Sequence, residues 1–210
     1  MLDAPVRRAL TPALETLAGA LDRRGISASG LTVLGFAVGV GACVAAATGH
    51  WTWALVAWLT NRALDGLDGP LARRRGATAL GGFLDIVADF TIYAGFLVGV
   101  AIAVPEARLA CLVLLAAYYM SGTAFLALSS ILERNGTAWA TVAADGRGLR
   151  FVGGLAEGTE TVLVYTAICL MPTHAVVIAW VFAAAVAVTA LQRVVLAVHL
   201  LHNDTVRSPR

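Results

Sequence analysis

The chain has 210 residues, 59% of them hydrophobic and only 13% charged; soluble domains average about 25% charge, so a water-soluble globular core is excluded. The formal charge is +2, and all fifteen basic residues are arginines, standing in short groups beside apolar stretches. That placement argues against nucleic-acid binding, which calls for a basic face. Cys43, Cys111 and Cys169 each lie inside an apolar stretch, with neither metal spacing nor a disulfide pattern.

In chain order, residues 4–22 are expected to form an amphipathic helix, either beside the membrane or packed on the domain as a surface helix. Leu10, Leu14, Leu17 and Leu21 give it an apolar stripe, and Arg7 and Arg8 can meet anionic headgroups. Arg23, Arg24 and Gly25 end it, and Ser27 or Ser29 caps the next helix. Six spans of roughly membrane length come next. The first is expected at Leu31–Thr48, with Gly35, Gly39 and Gly41 allowing close helix contact. The second is expected at Trp51–Leu64, with helix continuing to Asp68 as an option. The third runs from Ala79 to Val104, the fourth from Leu109 to Leu132, the fifth from Phe151 to Met171 and the sixth from Ala175 to Leu200. Arginines fall on one side of such a path, with Arg108 alone opposite, so both termini are expected in the cytoplasm. The expected fold class is an all-α polytopic membrane bundle of six transmembrane helices with an N-terminal juxtamembrane helix. Its divisions are 1–30, the membrane domain 31–203 and a polar tail 204–210.

The chemistry concentrates between Asp65 and Asp89. Asp65 and Asp68 are spaced i,i+3, and Asp85 and Asp89 i,i+4, so each pair shares a helix face. The segment between the pairs, with Gly69, Pro70, Arg73–Arg75 and Gly76, is expected to be a turn. Two helices meeting there point four carboxylates at one place. Like charges in a low dielectric need cations, and oxygen ligands suit Mg²⁺ or Mn²⁺. Intramembrane acids normally face a bundle interior or a water-filled cavity.

Asp65, Asp68, Gly69, Ala72, Arg73, Gly81, Asp85 and Asp89 together resemble the signature of the CDP-alcohol phosphotransferases, with all eight fixed positions filled. The resemblance implies a dimeric membrane enzyme that moves the phosphoalcohol part of a CDP-alcohol onto a second alcohol and releases CMP. It implies cytidine and its ribose at Gly69 and Gly81, with Ala72 keeping that surface flat, and makes Asp89 the candidate general base. Asp65, Asp68 and Asp85 are the first choices as metal ligands, Asp89 a further one, for two Mg²⁺ or Mn²⁺ ions. Arg73 suits the diphosphate. Asn61, one turn before Asp65, suits either the nucleotide or a helix–helix hydrogen bond.

For the acceptor, Arg193, Arg134, Arg147 and Arg150 suit a phosphorylated alcohol such as inositol phosphate or glycerol phosphate. Gln192–Arg193 is similar to the phosphatidylinositol-phosphate synthases within the family. Glu157 and Glu160 lie at a similar expected depth, and either pair with Arg193 or bind the acceptor themselves. The expected donor is CDP-diacylglycerol, with CDP-choline or CDP-ethanolamine as alternatives and a divalent-cation transporter as the alternative outside the family. The expected location is a prokaryotic inner membrane.

Overall fold

The computed structural model describes residues 3–134 and 158–207, which fold into seven α-helices and two short 3₁₀ turns. The helices are α1 (Asp3–Arg23), α2 (Ala28–Ala47), α3 (Trp51–Arg75), α4 (Ala79–Ala103), α5 (Arg108–Arg134), α6 (Gly158–Leu170) and α7 (Ala175–Arg207). Pro105–Ala107 and Pro172–His174 form the 3₁₀ turns. The all-α reading holds.

The number of spans does not. Four stretches among the described residues are long and apolar enough to cross a membrane, not six: Ala28–Ala47, Ala79–Ala103, Pro105–Glu133 and Pro172–His202. α3 fails because Asn61, Arg62, Asp65, Asp68 and Arg73–Arg75 interrupt it from its eleventh residue on, leaving only a short uncharged run. α6 has 13 described residues, about 20 Å at 1.5 Å per residue, well short of a 30 Å hydrocarbon core. A second correction concerns Gly69–Arg75, which continues α3 as helix through Pro70. The chain turns only at Gly76, whose φ of +89° is in the region that favours glycine. Thr78 then caps α4, its side chain accepting from the Gly81 amide at 3.0 Å.

α2 packs chiefly on α3 and α4, and α5 chiefly on α7. Small residues set the first of these contacts. A Cβ at Gly39 would lie 2.8 Å from the Ile92 side chain and 2.9 Å from Asn61 Nδ2, and one at Gly99 would meet the Cys43 carbonyl oxygen at 2.6 Å. Close backbone approach of this kind is what glycine contributes to helix packing. The fully buried rings of Trp58, Phe96 and Tyr165 bind α3, α4 and α6 together, with Phe96 stacked on Tyr165 at 4.8 Å. Large apolar side chains such as Val33, Trp53, Leu109 and Val181 face outward, as a lipid-facing surface requires. α1 lies against α3, with buried Ala18 packed beside Leu31 and Leu71.

Candidate active site

α3 carries Asp65 and Asp68, and α4 carries Asp85 and Asp89. The i,i+3 spacing turns both α3 carboxylates toward α4, and one ligand oxygen from each of Asp65, Asp68 and Asp85 lies within 4.8 Å of the others. Asp68 is 7% exposed and accepts from Thr32 Oγ1 of α2 at 2.8 Å. α3 is outside the four long apolar helices, and there burial, then the Asp89 carboxylate, pushes the Asp65 carboxyl up to about 8, against the pull of Arg62. Burial also pushes Asp68 up to about 6, against the Thr32 hydrogen bond. Among the described residues neither Asp68 nor Asp85 makes an ion pair. Clustered hard oxygen donors whose charge a single arginine, Arg62 beside Asp65, compensates only in part are what a divalent cation needs, so the residues present fit one.

Asp89 is held differently. Its Oδ1 lies 2.9 Å from Nη2 of Arg62, whose Nη1 is 3.6 Å from Asp65 Oδ2. Arg62 is no part of the sequence expectation. Its side chain is 9% exposed. It donates to Asn61 Oδ1 from Nε and Nη2, at 2.8 and 2.7 Å, and from Nη1 to the Tyr93 hydroxyl at 2.8 Å. The rings of Trp58 and Tyr93 lie 5.0 and 4.9 Å from the guanidinium carbon, a cation–π cage. Asn61 in turn donates to the Gly35 carbonyl at 2.8 Å. That is a helix–helix hydrogen bond, one of the two uses expected of it.

Beside the carboxylates lies a cleft of about 390 Å³. Gly69, Ala72, Arg73 and Gly81 line it together with Asp68 and Asp85, so the motif's small residues and its acids share one space. Arg73 is well exposed and 3.4 Å from Glu15 of α1. Arg74 also reaches Glu15, and Arg75 meets Asp22 at 2.6 Å, so the arginine run ties α1 to α3.

Arg193 stands elsewhere. It lines a larger cavity of about 740 Å³ with Phe90, Tyr93, Tyr118, Ser121 and Thr161. Its Nη1 donates to Ser121 Oγ at 2.8 Å, and the Phe125 ring lies 5.1 Å from its guanidinium carbon. Glu160 sits in the first turn of α6. Arg134 ends α5, its side chain outside the described residues, as are Arg147, Arg150 and Glu157 altogether.

Residues 26–191 match the CDP-alcohol phosphatidyltransferase family. The chain is 43% identical over 173 residues to the inner membrane protein YnjF of Escherichia coli, covering 82% of this chain and 83% of that one. Its fold is similar to that of the Mycobacterium tuberculosis phosphatidylinositol phosphate synthase PgsA1 crystallised with CDP-DAG bound. That likeness has a TM-score of 0.66 at 23% identity, over 88% of this chain and 93% of that one. The same synthase in complex with manganese and citrate gives a TM-score of 0.65 at 24% identity, over 88% of each chain. From the family match and the YnjF identity, on a chain whose filled motif converges in space, this protein belongs to the CDP-alcohol phosphatidyltransferase family and is an enzyme of the CDP-alcohol phosphotransferase type.

Proposed function

We propose that the enzyme transfers the phosphatidyl group of CDP-diacylglycerol to a small alcohol and releases CMP. The observation that carries this reading is the meeting of Asp65, Asp68 and Asp85 at the edge of the cleft lined by Gly69, Ala72, Arg73 and Gly81. The fold shared with a synthase crystallised with CDP-DAG supports the choice of donor. Asp65, Asp68 and Asp85 hold the divalent ion, Mg²⁺ or Mn²⁺. Bound there, it neutralises charge on the diphosphate and on the departing phosphate. The cytidine and ribose lie against Gly69 and Gly81, where an absent side chain allows backbone contact. Arg73 turns from Glu15 to the diphosphate. The acceptor hydroxyl oxygen attacks the lipid-bearing phosphorus, the phosphorus–oxygen bond to CMP breaks, and Asp89 takes the hydroxyl proton.

Arg193 is the acceptor's cation, and a phosphorylated polyol suits a fixed guanidinium best. Arg134, Arg147, Arg150, Glu157 and Glu160 are further acceptor-side groups on sequence grounds alone. The working protein is a homodimer in a prokaryotic inner membrane, its site and both termini cytoplasmic, with residues 31–203 as the membrane domain. The YnjF likeness supports the location, and the arginine distribution supports the orientation.

The test is product identification. Purified protein in lipid nanodiscs receives CDP-diacylglycerol, Mg²⁺ and one alcohol from a panel of inositol phosphate, glycerol phosphate, inositol and serine. A phosphatidyl product from a phosphorylated alcohol, with equimolar CMP, is expected. Transfer only from CDP-choline or CDP-ethanolamine to a lipid alcohol would overturn the donor assignment.

A further inference from the structure

Two residues on the wall of the Arg193 cavity have hydroxyls held in the same way. The Tyr93 oxygen accepts from Arg62 Nη1 at 2.8 Å, and Ser121 Oγ accepts from Arg193 Nη1 at 2.8 Å. A guanidinium donates and cannot accept, so neither hydroxyl can give its proton to the arginine that holds it. Among the described residues no other hydrogen bond engages either side-chain oxygen. We propose that Tyr93 and Ser121 are hydrogen-bond donors to the acceptor alcohol, each giving its unused proton to an acceptor oxygen in this cavity. This rests on the reading of the cavity as the acceptor site.

Both hydroxyls are fixed in advance. Arg62 is held by Asn61 through Nε and Nη2. The Tyr93 ring meets the Trp58 ring edge-on at 5.9 Å, and the Tyr165 hydroxyl donates to the Tyr93 carbonyl at 2.9 Å. Ser121 is 4% exposed, and its carbonyl accepts from the same Arg193 nitrogen at 3.2 Å. A hydroxyl with only a structural task gives its proton to a carbonyl of its own helix, as Ser129 does to Phe125 on α5 and Thr189 to Ala185 on α7. Tyr118 and Thr161, also on the cavity wall, instead bond each other at 2.7 Å.

The rest of the wall includes Phe90, Leu115, Met120 and Phe125, which offer ligand oxygens nothing. A donor left unmade in such surroundings is costly, and an oxygen-rich ligand removes that cost. The chemistry that answers this wall is a polyol whose hydroxyl oxygens meet Tyr93 and Ser121 and whose anionic group meets Arg193. An amine-bearing alcohol would set its ammonium against two donors and a guanidinium. Arg62 also reaches Asp89 Oδ1, at 2.9 Å from Nη2. An acceptor oxygen bonded to Tyr93 therefore lies about one guanidinium's width from the carboxylate proposed to take the proton.

Kinetics of both substrates test this. The full chain in nanodiscs receives Mg²⁺ and CDP-diacylglycerol, with inositol phosphate and then glycerol phosphate as the varied alcohol. Wild type is compared with Tyr93→Phe, Ser121→Ala and Arg193→Ala. The acceptor KM is expected to rise about 3–10-fold in each hydroxyl variant, the scale of one net hydrogen bond. The CDP-diacylglycerol KM and the Mn²⁺ affinity are expected to stay at wild-type values. A hydroxyl that merely braces its arginine would disturb those two quantities instead, and that result overturns the proposal. An unchanged acceptor KM in either variant overturns the assignment of that hydroxyl, and Ser121→Ala decides should Tyr93→Phe fail to fold. An acceptor KM raised by Arg193→Ala but by neither hydroxyl variant overturns the proposal alone. No transfer to either alcohol, or an acceptor KM that Arg193→Ala also leaves unmoved, overturns the acceptor reading and the proposal with it.

Discussion

Two faces of α4 border two differently built regions. One face presents Asp85 and Asp89 to α3 and α2, where acids, glycines and one caged arginine meet over a short span of sequence. The other presents Phe90 and Ala94 to a larger cavity shared with α5, α6 and α7, with Tyr93, whose hydroxyl meets Arg62, standing between the two regions. The first region is a local product, because two consecutive helices joined at Gly76 bring its groups together. The second is a product of tertiary packing, since Tyr93, Ser121, Thr161 and Arg193 meet only when four helices do. On the proposed function, donor activation belongs to the first region and acceptor recognition to the second.

Replacing Asp65, Asp68 or Asp85 by Asn attacks the first region and carries the largest expected effect. Transfer should fall by on the order of 10³-fold or more, the scale of losing a main charge partner of phosphoryl transfer, and ion binding should weaken with it. CMP release and Mn²⁺ titration on the same preparations check this. Asp89→Asn divides the first region internally. Its amide is a poor proton acceptor, so single-turnover CMP release should slow by about 10²–10⁴-fold while CDP-diacylglycerol affinity is largely kept. Near-normal turnover would remove Asp89 as the base.

Arg193→Ala probes the second region. Loss of charged hydrogen bonds, worth about 1.5–3 kcal/mol, should raise the acceptor KM about 10-fold or more while leaving the donor KM alone. Normal KM values with a collapsed melting temperature would make Arg193 a packing residue instead. The smallest effect concerns pH. The folded, metal-free protein raises Asp65 to about 8, above the carboxylate value of about 4 expected when unfolded. The folded state thus holds the proton more tightly, and stability falls as pH rises through that window. Thermal melting in EDTA should drop by several degrees between pH 5 and pH 8, and saturating Mg²⁺ should remove the slope.

The local region is legible in sequence and the packed one is not. The aspartate spacings alone predict shared helix faces, and α4 begins at the expected Ala79. Gly69–Arg75 reads as a turn because Gly69 and Pro70 signal one, whereas a proline within a helix costs a hydrogen bond and a ring clash with the preceding turn, which tertiary contacts can offset. Arg62 escapes notice because it stands alone in an apolar-looking run. A signal is present: a lone cation one turn before Asp65 and one turn after Trp58, where a helix stacks all three. The cavity around Arg193 leaves no such trace, since its residues are spread from Phe90 to Arg193 and share no spacing. Counting spans fails at α3 because helix length and helix apolarity are separate quantities, and a functional helix sacrifices the second.

The central claim is that the Asp65–Asp89 region makes this chain a metal-dependent CDP-alcohol transferase. The most direct measurement is CMP release from CDP-diacylglycerol by wild type and Asp68→Asn, side by side, in Mg²⁺ and in EDTA. Asp68 is the acid to change because it both joins the carboxylate group and lines the cleft. CMP that appears only with wild type, only with Mg²⁺ and only when an alcohol is present is the predicted result. Equal CMP release by the two proteins, or release that persists undiminished in EDTA, would contradict it.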